Sequence, residues 1–301
     1  MPASYSLAPE VEGGVAACSG AFGCMEAIAA SLVALLLWTG LSTGMLFAPR
    51  ANVRAALTAL GRETEAICAE QDALATFTSQ VKSLPAFGPT STVEAGGVAT
   101  VGAQGQAAGM ANLRDAYRET VMAVDHFDRD YGESFDESLA NEFGDGVATA
   151  VLANDGLSPQ VKQAVLARTS DCRRQRRQYL AALDRERQRL EWAGDALAAA
   201  GATCEEVDGE RLRRRSFGEL QARYEQLAAE RASLTDVLAK RQDQLHEGVT
   251  FGWQRRETES VYRYLYRDVD ATYPVLADGT RVLERMDDVE HRLTTALTAQ
   301  V

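Results

Sequence analysis

The chain has 301 residues, a formal net charge of −12 and 46% hydrophobic residues, enough apolar material for one or two buried cores. Of its 31 basic residues only Lys82, Lys162 and Lys240 are lysines, and isoleucine occurs only at Ile28 and Ile67. Such carboxylate-rich, lysine-poor surfaces stay hydrated where salt screens charge, so the acidity reports on the solvent first and argues only weakly against anionic partners.

The longest apolar run, residues 27–48, holds 22 residues without a charge or a proline. As a helix it spans roughly 33 Å, the thickness of a bilayer's hydrocarbon core. Residues 1–26 contain no Lys or Arg, whereas Arg50, Arg54 and Arg62 follow the run. A signal peptide needs a basic start and a shorter apolar core, so the run reads as a transmembrane helix. Positive residues stay cytoplasmic. The expected topology is single-pass, with a short extracytoplasmic tail (1–26) and residues 49–301 inside, Arg50 and Arg54 setting the orientation. Gly40 and Gly44 form a GxxxG that lets a second membrane helix approach closely, although small residues are frequent in such helices by chance. Cys18 and Cys24 lie in the outer tail and could pair there.

Residues 49–83 continue as a helix. Val53, Leu57, Leu60, Thr64, Ile67, Gln71, Leu74, Thr78 and Val81 alternate four- and three-residue steps, which predicts a juxtamembrane coiled coil. Residues 84–107 are rich in Gly, Pro, Ser and Thr and read as a flexible linker. A helical bundle domain is expected over 108–301. Within it the acidic stretch 125–137 superficially suggests a cation loop. Asp128 and Asp130 suit an EF-hand, but Gly132 comes one position early and Leu139 stands where the closing Glu belongs. It reads as a solvated loop.

Ser158 and Pro159 predict a helix start. Two heptad helices follow, one with Leu183, Leu190 and Leu197 on its seam, the other with Leu220, Leu227, Leu234, Leu238 and Leu245. The connection is placed at residues 201–209, with Gly201 as C-cap, which predicts a long antiparallel hairpin. Residues 168–189 carry eight arginines against Asp171, Asp184 and Glu186. They read as interhelical ion pairs, with Glu225, Glu230 and Asp236 as partners, rather than as a site for lipid headgroups or nucleic acid. An aromatic cluster follows. Its members Phe251, Trp253, Tyr262, Tyr264, Tyr266 and Tyr273 read as junction packing, or as a partner surface where exposed, with Trp253, Tyr262, Tyr266 and Tyr273 as the candidates. A helix over about 257–272 should end at Tyr273-Pro274, and a last one carries Val282, Met286, Val289 and Leu293.

The expected class is therefore all-α. With no Gly-rich phosphate loop, no Ser–His–acid or Cys–His constellation and no CxxC motif, no enzyme activity, metal or cofactor is expected. The expected role is a membrane-tethered interaction or scaffolding protein, with a signalling relay as the alternative. The expected partners are the lipid bilayer, a protein and a second copy of the chain, and not nucleic acid.

The segments AYRETVMAVDHFDRDYGESFDESLANEFGDGVATAVL (116–152) and SVYRYLYRDVDATYPVLADGTRVLERM (260–286) resemble a family of uncharacterised haloarchaeal proteins with an N-terminal membrane helix and a long helical cytoplasmic part. The resemblance implies a halophilic archaeal origin. It offers no activity and no catalytic residues to carry over.

Overall fold

The computed structural model describes residues 48–86, 99–247 and 258–300. The chain divides into two units, 1–48 and 49–301. The expected membrane helix with Gly40 and Gly44, the Cys18–Cys24 pairing, Phe251 and Trp253 all lie outside the described residues. Among the described residues, no helix is long and apolar enough to cross a membrane.

Those residues form nine α-helices and one 3-10 turn, without a strand: α1 (Ala51–Ser83), α2 (Ala99–Thr120), α3 (Phe127–Asp130), α4 (Phe135–Phe143), α5 (Asp145–Ala153), α6 (Pro159–Gly209), the turn Leu212–Arg214, α7 (Phe217–Glu247), α8 (Thr258–Leu265) and α9 (Pro274–Thr298). Several starts follow from local chemistry. Ser134 and Glu137 close a reciprocal capping box on α4, and Ser216 and Glu219 do the same at the start of α7. Ser158 accepts a hydrogen bond from the Val161 N–H while Pro159 occupies the first helical position of α6. Gly144 has φ of 83° and joins α4 to α5 in a conformation that favours glycine.

The spine is α6, whose 51 residues rise about 75 Å. Antiparallel α1 runs along it, so that Arg50 lies against Asp195, Glu63 against Tyr179 and Glu70 against Arg176. Val53, Leu60, Ile67, Leu74 and Val81 are all buried, a seven-residue repeat that packs against α6. Asn52, Ala56, Ala59, Glu70 and Phe77 widen the buried face beyond a two-stranded seam. The helix expected as a separate juxtamembrane coiled coil is thus a wall of the bundle. The expected linker is shorter too, because α2 begins at Ala99.

Two cores share the spine. The first joins the C-terminal half of α1 to α2, α4, α5 and the start of α6. Phe77 meets the Tyr117 ring edge-on at 5.6 Å and stacks on Phe143 at 5.9 Å. In the second, α6, α7 and α9 pack with the N-terminal half of α1 as an up-and-down bundle. Leu183, Leu190, Leu197, Leu220, Leu227 and Leu234 are buried there, as are Val282, Met286, Val289 and Leu293. Leu238 and Leu245 are half-buried. Leu238 lies over Gly279, where a methyl group would collide with it, so α9 approaches α7 closely at that point.

The hairpin turns at 210–216, not at 201–209. Gly201 is buried inside α6 instead of capping it, at a helix cost of about 1 kcal/mol relative to alanine. The later turn shifts the hairpin register, and most of the arginines pair outside it. Arg176 pairs with Glu70 and Glu142, Arg187 with Asp184 and Glu191, and Arg241 with Glu186. The expected acceptors Glu225, Glu230 and Asp236 stand opposite other residues. Tyr262 and Tyr266 are not a partner surface: they are 1% and 2% exposed, and both hydroxyls donate to Glu186. Tyr273 remains 37% exposed at the start of α9. The helix expected over 257–272 ends early, at Leu265.

Two polar ties hold the second core. Glu186 and Arg241, 5% and 3% exposed at the side chain, form a bidentate pair. Breaking one partner of a buried pair leaves a bare charge. Arg241→Met is therefore expected to cost about 3–5 kcal/mol, and the Glu186→Leu/Arg241→Met double variant less than either single one. Denaturant melts of the four proteins measure this, and a double variant weaker than both singles would show the pair to be net stabilising.

The second tie is Asp278 on α9. Its carboxylate accepts from the Asn52 N–H at 3.3 Å, the Asn52 amide at 2.9 Å and the Val53 N–H at 2.9 Å. A residue from the far end of the chain thereby caps the open N-terminus of α1, where Arg50 offers no side-chain cap. Asp278→Ala strands these donors in a buried place and should lower stability by about 2 kcal/mol. Calorimetric melting is the check, and a loss below about 0.5 kcal/mol would mean the cap is dispensable.

Candidate functional site

A cleft of about 660 Å³ opens where α1, the 121–134 segment, α4, α6 and α8 meet. Ile67, Leu74, Val121 and Phe127 supply apolar wall, and Glu63, Glu70, Glu142, Arg176 and four tyrosines supply the polar chemistry. Glu63 and Glu70 stand seven residues apart on one stripe of α1. Arg176 and Tyr179 stand three apart on the facing stripe of α6. The antiparallel register brings the two stripes together.

At the inner end Arg176 serves two acids. Its Nε donates to Glu70 at 2.7 Å, and its two terminal nitrogens reach Glu142 at 2.7 and 3.1 Å. Glu70 also meets His126 Nε2 at 3.0 Å and accepts from the Tyr131 hydroxyl at 2.7 Å. Burial alone would push the Glu70 carboxyl up. Arg176, with hydrogen bonds from His126, Tyr131 and Arg176 itself, outweighs it and holds Glu70 below the usual carboxylate range.

Glu63 is the contrast. One oxygen accepts from Tyr179 at 2.9 Å, the other faces the Tyr264 hydroxyl at 3.5 Å, and among the described residues no Lys or Arg forms an ion pair with it. Burial raises its carboxyl above the ordinary value, the Tyr179 bond and the Arg267 charge oppose this, and the Glu70 and Asp130 charges add to the rise. Burial and the neighbouring carboxylates also raise the Tyr131 and Tyr179 hydroxyls, which therefore stay protonated donors. The cleft lining thus holds five carboxylates, Glu63, Glu70, Asp130, Glu133 and Glu142, against the two guanidiniums of Arg168 and Arg176. Tyr131 and Tyr264 stand at its mouth, 46% and 41% exposed.

The arrangement suits a cation: carboxylate oxygens for its N–H groups and tyrosine faces for its charge. Cys172 lies beside it, but its thiol is pushed up to about 12, first by burial and then by Glu142, and donates to the Glu142 carbonyl at 3.2 Å; it is a poor nucleophile. Among the described residues, no group of three or more His, Cys, Asp or Glu has the geometry to hold a metal ion.

Of these residues, Tyr264 belongs to the aromatic cluster that reads as junction packing or, where exposed, as a partner surface; Glu63, Glu70 and Glu142 stand in no motif. His126 and Asp130 fell in the acidic stretch expected to be solvated, yet His126 is 7% exposed and Asp130 lines the cleft. Arg176 was counted only among the arginines. The one available signal was Glu70, a charged residue placed on the buried stripe of α1.

Because Glu70 ionises more readily folded than unfolded, its contribution is fully present above the unfolded value near 4.5 and lost as the pH falls through the lower folded value. Stability should therefore drop between pH 5.5 and 3.5, and Glu70→Gln should flatten that slope. Urea midpoints across this range decide it. An unchanged slope would assign acid lability to other carboxylates.

No curated protein and no solved structure matches the chain significantly. A family model does match, over residues 51–290, from the first residue of α1 into α9, and so takes in the cleft, both cores and the hairpin. The chain belongs to this family, described as a domain of unknown function (DUF7260).

Proposed function

We propose that the chain is a membrane-anchored, cytoplasm-facing interaction protein of a halophilic archaeon, and that its cleft receives a cationic side chain of a protein partner. The anchoring rests on the uncharged run 27–48 and on the arginines that follow it. The observation that carries the binding reading is Glu63. It is a half-buried carboxylate oriented by tyrosine hydroxyls; no Lys or Arg of the described residues forms an ion pair with it, and the Arg267 charge, held over the Tyr264 ring, offsets its burial only in part. An arginine or lysine from a partner completes that charge balance, and the exposed faces of Tyr131 and Tyr264 border the entry. The Arg176 network fixes the walls beforehand, so little ordering is lost on binding.

The test is purification of the tagged full-length protein from its own membranes in molar salt, beside Glu63→Gln. The fold already disfavours the Glu63 charge, so a neutral isostere leaves the helices intact. A stoichiometric protein retained by the native chain and reduced at least tenfold with Glu63→Gln supports the reading. Equal recovery with both removes the cleft from the interaction. Light scattering of the same samples reports whether a second copy of the chain is present, the state that Gly40 and Gly44 would favour.

A further inference from the structure

A second, smaller concavity of about 180 Å³ lies on the α1–α6 seam, away from the cleft. It is lined by Thr78 and Lys82 of α1 and by Leu166, Ser170, Arg173 and Arg177 of α6. Each helix contributes one face. Thr78 and Lys82 are one turn apart, and Ser170, Arg173 and Arg177 follow at three- and four-residue steps. Three cations and two hydroxyls converge with no carboxylate in the lining, on a chain whose net charge is −12.

The neighbouring arginines show how unusual this is. Arg168 and Arg174 pair with Asp171, and Arg176 with Glu70 and Glu142. Arg173 instead keeps its Nε buried and without an acceptor among the described residues. A buried donor without a partner is costly, and here it lies beside Lys82 and Arg177, for which the described residues form no ion pair. Thr78 commits its proton to the Leu74 carbonyl at 2.7 Å, which leaves Ser170, Lys82 and the two guanidiniums as the donors. The volume equals about six waters at about 30 Å³ each, room for a tetrahedral oxyanion with part of its hydration.

We infer that this pocket binds a phosphoryl group, held by Arg173, Arg177, Lys82 and the Ser170 hydroxyl. Guanidinium forks match phosphate oxygens bidentately and lysine adds a point charge. The group is either free phosphate or the headgroup of an anionic lipid.

Inorganic phosphate is titrated by calorimetry into the full-length chain in phosphatidylcholine vesicles, with ionic strength held constant by sodium chloride. Lys82→Gln and Arg177→Gln are measured in parallel. Arg187→Gln, which disturbs an exposed pair with Asp184 and Glu191, is the control. The expected result is saturable binding, weakened at least tenfold by each pocket variant and unchanged in the control. Vesicles containing phosphatidylglycerol then separate the sources. Phosphate binding that disappears in them identifies a lipid headgroup as the occupant, and binding that persists identifies the free anion. Non-saturable heats, or binding that the pocket variants leave untouched, overturn the site. Circular dichroism of each variant excludes loss of the fold as the cause of weakened binding.

Discussion

The buried charges between α1 and α6 are the constraint on which the rest depends. Glu70 is buried and Arg176 and Glu142 are mostly so, and ions drawn out of water are tolerable only when paired and hydrogen-bonded. That requirement leaves little freedom in register. Sliding α1 by one turn, about 5.4 Å, would separate Glu70 from Arg176 while leucine still met apolar surface. The hydrophobic seam therefore decides that the helices pack, and the ion pairs decide where. The walls of both concavities inherit that choice, because each takes residues from the two helices.

The composition makes sense in the same terms. Arg176 spans two carboxylates and Arg241 grips Glu186 with two nitrogens. Arg231 meets Asp287 and Glu290, and Arg285 and Arg292 both reach Asp208. The Arg176 and Arg241 arrangements need the planar fork of a guanidinium, which a lysine ammonium does not provide. Pairs taken out of water are also screened much less by salt than exposed ones. An arginine-rich, lysine-poor sequence is thus suited to a bundle whose helices are tied by charge as well as by leucine.

Much of this was legible and some was not, for physical reasons. The seven-residue repeat from Val53 to Val81, the Ser158-Pro159 start and the heptads of α6 and α7 are local signals, and local signals survive in sequence. The hairpin turn was misplaced because Gly201 resembles a cap while residues 210–216 contain neither proline nor glycine; tertiary packing kept the helix going through a weak breaker. That displacement sets Glu186 opposite Arg241, while Arg176 and Arg187 find acids on α1, α4 and α6 itself. Glu70 and Arg176 meet across more than one hundred residues, and nothing in either segment names the other. Tyr262 and Tyr266 read as junction packing in sequence, but the acceptor of their hydroxyls, Glu186, lies 76 and 80 residues earlier, beyond any local signal.

Asp278 carries one more consequence, for the order in which the chain becomes itself. Helix α1 is among the first described segments to leave the ribosome, yet the carboxylate that closes its open end is made 225 residues after Val53. Until then the Asn52 and Val53 amides have only water to donate to, and the Arg241 anchor for Glu186 is also late in synthesis. The nascent N-terminal half must wait with frayed ends and unpaired acids. A chain that stops before α9 keeps its heptads but lacks this tie, so the start of α1 reports whether α9 has docked.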